Sequence, residues 1–222
     1  MLPGLNMPAT LSLRNVQKSF GDHKVLHIPD WHIGDGIYWI QGENGAGKST
    51  LFRVIAGMLP FHGEIVLDGY SDLRKAPVEY RLRVCLGEAE PLYPAFLTPA
   101  DLVGFTASAR KSPPGQATAL MEKLGITAYK NQPVGACSSG MLKKLSIALA
   151  FLGSPRLIIL DEPLITIDRE ARDNLFDLIR DYREQSVTFL ISSHQLFETG
   201  NIALTERYRL QNTNLVRVGN EK

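Results

Sequence analysis

The residues with the strongest chemical signal lie between an apolar β-rich run and a helical pattern. They read Gly42-Glu43-Asn44-Gly45-Ala46-Gly47-Lys48-Ser49-Thr50 and match the pattern GxxxxGK[ST] in full. Glycines let successive backbone N–H groups turn toward an anion, and the start of a helix adds the positive end of its dipole. We expect this loop to bind the phosphates of a nucleotide, with Lys48 at the β- and γ-phosphates and Ser49 on Mg²⁺. The alternative, a chance glycine-rich turn, is disfavoured by the complete match.

Two acids follow a second apolar run, at the point where that run ends. Asp161 and Glu162 come directly after residues 157–160. In open α/β sheets, ligands bind at the edge where the carboxyl ends of the strands meet. Asp161 would hold Mg²⁺ through water, and Glu162 would polarise the water that attacks the γ-phosphate. The pair alone could equally cap a strand or a helix, and the phosphate-binding loop upstream favours the catalytic interpretation.

A histidine follows a third apolar run. His194 stands in Ser192-Ser193-His194, again at a carboxyl end. A single histidine after a strand usually belongs to the surface or to packing. Its place at the same edge as Lys48 and Asp161 makes it a candidate sensor of the γ-phosphate. The other histidines lack this context and are interpreted as structural: His23, His27, His32 and His62.

Composition narrows the class of protein. The 222 residues, 44% of them hydrophobic and 21% charged, suit one globular domain or two tightly joined lobes. Twenty-four Lys and Arg stand against 23 Asp and Glu, so no strong field attracts nucleic acid or an anionic membrane, and no nucleic-acid partner is expected. Cys85 and Cys137 lie far apart without a metal-site spacing, which indicates reduced thiols in a cytosol.

Membrane association is not predicted for this chain by itself. The N-terminal segment lacks a basic region followed by an apolar run, so it does not resemble a secretory signal. The longest apolar stretches, residues 147–152 and 157–160, are far shorter than the ~20 residues that span a bilayer. Any connection to a membrane is therefore expected through another chain.

The elements that position these residues follow an alternating pattern. Apolar runs at residues 37–41, 157–160 and 187–191 predict buried parallel strands, followed by helical patterns at 48–56, 169–183 and 195–199. This alternation is typical of an α/β sheet with helices on both faces. Short segments before residue 37 and at 63–67 suggest an antiparallel β layer, and residues 208–218 suggest further short strands.

The middle of the chain has a different pattern. Thr98-Pro99 is a good helix start, and Pro113-Pro114 is a helix breaker that separates two helical patterns. We predict one domain over residues 1–222, with a core at about 10–87 and 154–222 and an inserted helical subdomain at about 88–153.

One further motif lies between the phosphate-binding loop and the acidic strand. Cys137-Ser138-Ser139-Gly140-Met141 stands immediately before an apolar helical pattern at residues 142–152. It resembles the signature sequence of ATP-binding cassette (ABC) ATPases, whose usual form is LSGGQ, and this variant resembles that of exporter-type subunits. A hydroxyl and unhindered N–H groups at a helix start suit a phosphate, although an ordinary N-capped helix is the alternative.

The resemblance extends from about residue 11 to about residue 218 and keeps the family's order of P-loop, Gln loop, signature, acidic strand, Asp loop and His switch. It implies an α/β P-loop NTPase fold and Mg²⁺-dependent ATP hydrolysis. It also implies a head-to-tail homodimer or heterodimer in which ATP lies between the P-loop of one chain and Ser138, Ser139 and Gly140 of the other. A transmembrane permease would hold the subunit on the cytoplasmic, inner face of the cell membrane.

The same resemblance implies roles for three further residues. Asp168 would be the Asp-loop residue that links the two sites, and Phe20 would stack on adenine, with a core phenylalanine as the alternative. Glu88 occupies the Gln-loop position, where it would offer Mg²⁺ an oxygen but add a negative charge beside the γ-phosphate. Cys137 and Met141 also depart from the usual signature, and the Asp loop at residues 164–167 is unusually apolar.

The leading hypothesis is an ATPase subunit that powers transport, with export favoured, through a separate permease. An ATP-dependent switch acting on protein or nucleic acid is the second hypothesis. ABC proteins of that class usually carry tandem cassettes, coiled coils or zinc modules, which this sequence lacks. A catalytically dead nucleotide-binding module is the third, and the presence of Lys48, Asp161, Glu162 and His194 argues against it.

Overall fold

The computed structural model describes residues 10–68, 71–193 and 202–219. The described strands are β1 (Leu11–Phe20), β2 (His23–Ile33), β3 (Ile37–Gln41), β4 (His62–Leu67), β5 (Ser71–Asp72), β6 (Val84–Gly87), β7 (Leu157–Asp161), β8 (Thr188–Ser192), β9 (Glu206–Gln211) and β10 (Asn214–Val218). The described α-helices are α1 (Lys48–Ile55), α2 (Pro77–Arg83), α3 (Pro99–Ala109), α4 (Gln116–Lys123), α5 (Ser139–Ala150) and α6 (Arg169–Glu184), with 3-10 turns at Ile126–Tyr129 and Val134–Ala136.

The larger sheet is mostly parallel, as predicted. Its order is β10-β9-β3-β8-β7-β6, and every neighbouring pair except β10 with β9 is parallel. Strands β7 and β8 are buried along their whole length, which explains their unbroken apolar runs. The register pairs Gly87 with Leu160 and Asp161 with Ser192. The carboxyl ends of β6, β7 and β8 therefore meet at one edge.

The smaller sheet confirms the predicted antiparallel layer. Its order is β2-β1-β4-β5, and the long hairpin of β1 and β2 turns at Gly21, whose φ of 56° is left-handed. Alternate side chains of β1 such as Leu11 and Leu13 are fully buried. They share a core with Leu51 and Phe52 of α1, so α1 is covered by this layer.

Helices α3, α4 and α5 lie between β6 and β7 in the chain. Thr98 caps α3 and shares a capping box with Asp101, as the Thr98-Pro99 signal predicted. Helix α5 begins at Ser139, three residues before the predicted pattern, because the Ser138 side chain accepts a hydrogen bond from the Met141 N–H. Since α5 also packs on β6 and β7, the division into a core and a helical subdomain stays a prediction.

Three of the described strands and α-helices were not predicted from the sequence, namely β5, α2 and β6. Only Tyr80 is buried along α2, so the helix lacks a periodic apolar stripe. No helix of the described residues combines the length and apolarity that a bilayer crossing needs.

Candidate functional site

The phosphate-binding loop joins β3 to α1 through glycines in left-handed conformations. Gly45 and Gly47 have φ angles of 81° and 100°. A Cβ atom on Gly47 would also lie 2.8 Å from Val25 Cγ1, so no larger residue fits without a shift. Gly47 makes no side-chain cap for α1, which leaves the first N–H groups of that helix directed at the loop. These amides form a cradle for an anion.

Lys48 supplies the positive charge of the loop. It is largely buried, and its Nζ donates to the Gly42 carbonyl at 2.7 Å and to the Glu43 carbonyl at 3.2 Å. The loop's own backbone therefore holds the ammonium group. Two carbonyl partners stabilise a charge that burial would otherwise disfavour.

The acidic pair is fixed by a serine on the neighbouring strand. Ser192 Oγ donates to Asp161 Oδ1 at 2.6 Å, and it accepts from the Glu162 N–H at 3.0 Å. Glu162 has a φ of 47°, which is rare for a non-glycine residue and is typical of functional positions. Ser192 was not predicted as a site residue; its place at the end of an apolar run, two residues before His194, was the available signal.

A cavity of about 410 Å³ brings the loop and the acids together. It is lined by His23, Val25, Glu43, Asn44, Gly45, Gly47, Lys48, Ser49, Thr50, Asp161 and Glu162. The Ser49 hydroxyl and the Asp161 carboxylate are hard oxygen donors among the lining residues. Among the residues that the structure describes, no cluster of three or more His, Cys, Asp or Glu forms a metal cage. This donor set fits Mg²⁺, which usually takes one or two protein ligands together with substrate phosphates and water.

Glu88 lies at the same edge, directly after β6. Its Oε1 accepts a hydrogen bond from Arg53 Nε at 2.8 Å, and Arg53 belongs to α1. The charge that distinguishes this position from glutamine is therefore offset by a cation in the same chain. The role of Glu88 as a magnesium ligand stays a prediction, with Arg53 as its structural partner.

The signature residues stand at the start of α5. A Cβ atom on Gly140 would lie 2.6 Å from the Thr166 carbonyl oxygen, so the helix start approaches the Asp loop closely. Ser138 and Gly140 do not line the cavity that contains Lys48 and Asp161, whereas Ser139 lines a neighbouring cleft of about 620 Å³ with Glu162.

Asp168 caps the N-terminus of α6. Its Oδ1 accepts from the Ala171 N–H at 2.8 Å, and its Oδ2 pairs with Lys144 Nζ at 3.1 Å. The Ala171 hydrogen bond and then Lys144 lower the pKa of the Asp168 carboxyl group. These contacts lie within one chain, and its role in linking two sites stays a prediction.

Phe20 stands at the end of the β1–β2 hairpin, paired with His23. Its side chain is 52% exposed, so the alternative of a core phenylalanine is wrong. Lys18 Nζ lies 4.6 Å from the ring centroid. The ring is therefore available for stacking.

His194 and the predicted helix at 195–199 lie outside the described residues.

The comparisons with known proteins agree with these motifs. A family model described as ABC transporter matches residues 32–165, more than half of the chain. The chain belongs to this family. Its fold and its class of enzyme, an ATP-binding cassette ATPase, are as the sequence predicted.

Three relatives illustrate the range of the family. The lantibiotic transport ATP-binding protein SrtF of Streptococcus pyogenes is 30% identical over 87% of this chain and 83% of its own. The aliphatic sulfonates import ATP-binding protein SsuB 2 of Burkholderia cenocepacia is 31% identical over 96% and 78%. The spermidine/putrescine import ATP-binding protein PotA of Nitrosomonas eutropha is 31% identical over 95% of this chain but 59% of its own length. The relatives do not favour one direction of transport.

Solved structures show the same fold. The ATP-binding subunit of an ABC transporter superposes with a TM-score of 0.83 at 23% identity, covering 95% of this chain and 90% of that one. A dimeric ATP-binding cassette in a post-hydrolysis state, bound to ADP and Pi, gives 0.76 at 19% identity, covering 93% and 97%.

Proposed function

We propose that this chain binds Mg²⁺ and ATP and uses ATP hydrolysis to drive transport through a separate transmembrane permease. The observation that carries the proposal is the single cavity lined by Lys48, Ser49, Asp161 and Glu162. It combines a phosphate cradle, oxygen ligands for Mg²⁺ and a carboxylate beside them. Phosphoryl transfer needs little more than this positioning and charge.

Each of these residues has a distinct task in the proposed reaction. The loop amides and Lys48 bind the β- and γ-phosphates. Ser49, and Asp161 through water, would hold Mg²⁺, which would supply positive charge to the phosphates. Glu162 orients a water molecule and accepts its proton as the water oxygen bonds to the γ-phosphorus. The bond from that phosphorus to the ADP oxygen breaks, which releases ADP and phosphate.

The proposed site is completed by a second copy or a similar subunit. Ser138 and Gly140 do not line the cavity that contains Lys48 in their own chain. They lie at the N-terminus of α5, where a helix start suits a phosphate. A head-to-tail pair would place them on the γ-phosphate held by the partner's loop. The fold's occurrence as a dimer bound to ADP and Pi supports this arrangement.

We propose that the subunit works on the cytoplasmic face of the membrane. The relatives named as transport or import ATP-binding proteins support a permease partner. The resemblance of Ser138-Ser139-Gly140-Met141 to exporter-type signatures favours export.

Two measurements on the purified chain test the ATPase part, namely phosphate release and the affinity for ATP. Lys48→Ala should weaken ATP binding by about 10- to 100-fold, because a charged hydrogen-bond donor to phosphate is lost. Lys75→Ala serves as the matched control, since Lys75 is exposed and its ammonium group pairs with Asp72. Normal ATP affinity in folded Lys48→Ala would contradict the site.

Affinity purification from detergent-solubilised membranes tests the transport part. A polytopic membrane protein should co-purify and should raise phosphate release in proteoliposomes. Cargo movement away from the ATP-containing side would support export. A soluble partner or a nucleic acid in its place would favour an ATP-dependent switch.

A further inference from the structure

Lys143 is a buried cation that the proposed reaction does not use. It lies in the second turn of α5, and only 3% of its surface is exposed. Lysine is almost never buried to this degree unless its ammonium group is paired. The sequence offered no signal for it beyond the run Lys143-Lys144 in a helical pattern.

The Lys143 ammonium group contacts three backbone carbonyls at the edge of the sheet. Its Nζ donates to Glu88 at 3.1 Å, to Asp161 at 3.4 Å, and to Ala89. Three N–H donors thus meet three acceptors, two after β6 and one at the end of β7. Ser146 Oγ, one turn further along α5, also donates to the Glu88 carbonyl at 3.3 Å.

The peptide group between Asp161 and Glu162 is held from both sides. Lys143 binds its carbonyl oxygen, and Ser192 Oγ accepts from its N–H at 3.0 Å. This peptide leads directly into Glu162, whose φ of 47° is left-handed. A non-glycine residue keeps such a conformation only where its surroundings fix it.

Charge at the site is consistent with a lysine in this position. Burial lowers the pKa of Lys143, and the carboxylates of Asp161, Glu162 and Glu90 oppose that shift. The carboxylates are near enough to favour the ammonium form, while the hydrogen bonds go to backbone carbonyls. The lysine therefore orients the backbone and leaves the carboxylate oxygens to other ligands.

We propose that Lys143 is a positioning residue for ATP hydrolysis. It fixes the peptide that precedes Glu162, so that the catalytic carboxylate keeps its direction toward the γ-phosphate. It also ties α5, which begins at Ser139, to the edge of the sheet that carries Asp161. The proposal rests on the proposed function, since it assigns Glu162 the role of activating water.

Lys143→Met tests the proposal, because methionine keeps an unbranched apolar stem and removes the donors. We expect kcat for ATP to fall by about 10- to 100-fold, since small misplacements of catalytic groups have effects of this size. KM and the Kd for ATP should change by less than about threefold, because the phosphate-binding loop is untouched. Lys143→Arg, which keeps charge and donors, should recover part of kcat.

The double variant with Glu162→Gln separates positioning from general damage. If Lys143 acts through Glu162, adding Lys143→Met to Glu162→Gln should lower kcat by less than about threefold further. Lys123→Met is the matched control, because Lys123 pairs with Asp181 at 3.3 Å on an exposed surface. It should behave like the parent.

Several outcomes would overturn the proposal. Parental kcat in folded Lys143→Met would do so, as would equal losses from Lys143→Met with and without Glu162→Gln. If Lys143→Met does not fold, a Lys143→Arg variant with parental stability but no more kcat than Glu162→Gln would count against it. A large but measurable loss of turnover in Glu162→Gln supports the proposed function in each of these cases, whereas a parent without turnover would contradict both proposals.

Discussion

The pair formed by Glu88 and Arg53 sets the local charge at the edge of the sheet where the proposed site would hold the γ-phosphate. A carboxylate there repels phosphate oxygens, and the guanidinium of Arg53 at 2.8 Å offsets that repulsion. The Arg53 side chain is partly exposed, so water and salt weaken the effect. Small changes in nucleotide affinity are therefore expected from altering either partner.

Glu88→Gln should preserve Mg²⁺-ATP affinity or strengthen it, by up to about fivefold, because Arg53 then faces the phosphates unneutralised. Arg53→Met should weaken affinity by a similar factor, since it leaves the Glu88 charge without its partner. Calorimetric titration of both variants at low and at physiological salt measures the two effects. A large loss of affinity in Glu88→Gln would instead identify Glu88 as a required magnesium ligand.

The Asp168 carboxylate gives the stability of the chain a defined pH dependence. Its pKa is lowered in the folded state by the Ala171 N–H and by Lys144, so its charged form stabilises the fold. That contribution is present above about pH 4, the ordinary aspartate range, and is lost as pH falls below it. Asp168→Asn should therefore be less stable than the parent at pH 7, by less than about 1 kcal/mol for so exposed a pair.

Urea unfolding at pH 7 and pH 3 measures this difference, which should narrow at the lower pH. Asp173→Asn on the same helix is the control, because Asp173 is exposed and its carboxylate pairs with the side chains of Arg169 and Arg172. An equal difference at both pH values would show that Asp168 acts through its shape alone.

Among the elements, the close contact between the start of α5 and the Asp loop makes a sharp demand on sequence. Gly140→Ala would place a Cβ atom 2.6 Å from the Thr166 carbonyl oxygen, which a backbone atom cannot accommodate without a shift. We expect a loss of about 1–3 kcal/mol in the free energy of unfolding.

Gly104→Ala in α3 is the matched control for this prediction. A Cβ atom there would meet nothing within 4 Å. Alanine in a helix interior should then raise stability by about 0.5–1 kcal/mol. Opposite signs in urea unfolding would confirm the contact, and a stabilising Gly140→Ala would contradict it.

The elements also show what a sequence can reveal. The strands predicted at residues 37–41, 157–160 and 187–191 each lie within one residue of those observed, because burial on both faces produces unbroken apolar runs. Strand β6 has four residues and takes its place from pairing with β7, which no local pattern records.

The site residues also fall into those that the sequence predicts and those that it does not. The phosphate-binding loop is one continuous stretch of sequence, and so is the acidic pair. The chemistry of each could therefore be predicted from its own residues. Arg53, Lys143 and Ser192 acquire their partners only when separate helices and strands meet at one edge. Contacts of that kind depend on register and packing, and the residue types alone do not predict them.

For the whole molecule, the proposed two-chain site predicts an assembly that depends on ATP. Glu162→Gln keeps size and hydrogen bonding but removes the basic carboxylate, so bound ATP should persist. The variant should run as a dimer with Mg²⁺-ATP and as a monomer without it. Adding Ser138→Arg should abolish the dimer and leave ATP binding at Lys48 intact.

Sedimentation with and without Mg²⁺-ATP decides this prediction. Parental turnover in Glu162→Gln would contradict the catalytic role, and an ATP-independent oligomer unaffected at Ser138 would contradict the shared site. A monomer in every condition calls for the same measurement with the permease present.

The order of strands in the larger sheet has a consequence for synthesis on the ribosome. Strand β3, which carries the phosphate-binding loop, lies between β8 and β9, both near the carboxyl end of the chain. A nascent chain that has emerged only as far as residue 187 has the loop but neither flanking strand. Pairing between segments so distant forms late in folding, and a central strand needs both partners. ATP-agarose should therefore retain chains that have emerged beyond β9 and release those arrested at residue 187, so the nucleotide site forms only after both flanking strands have been synthesised.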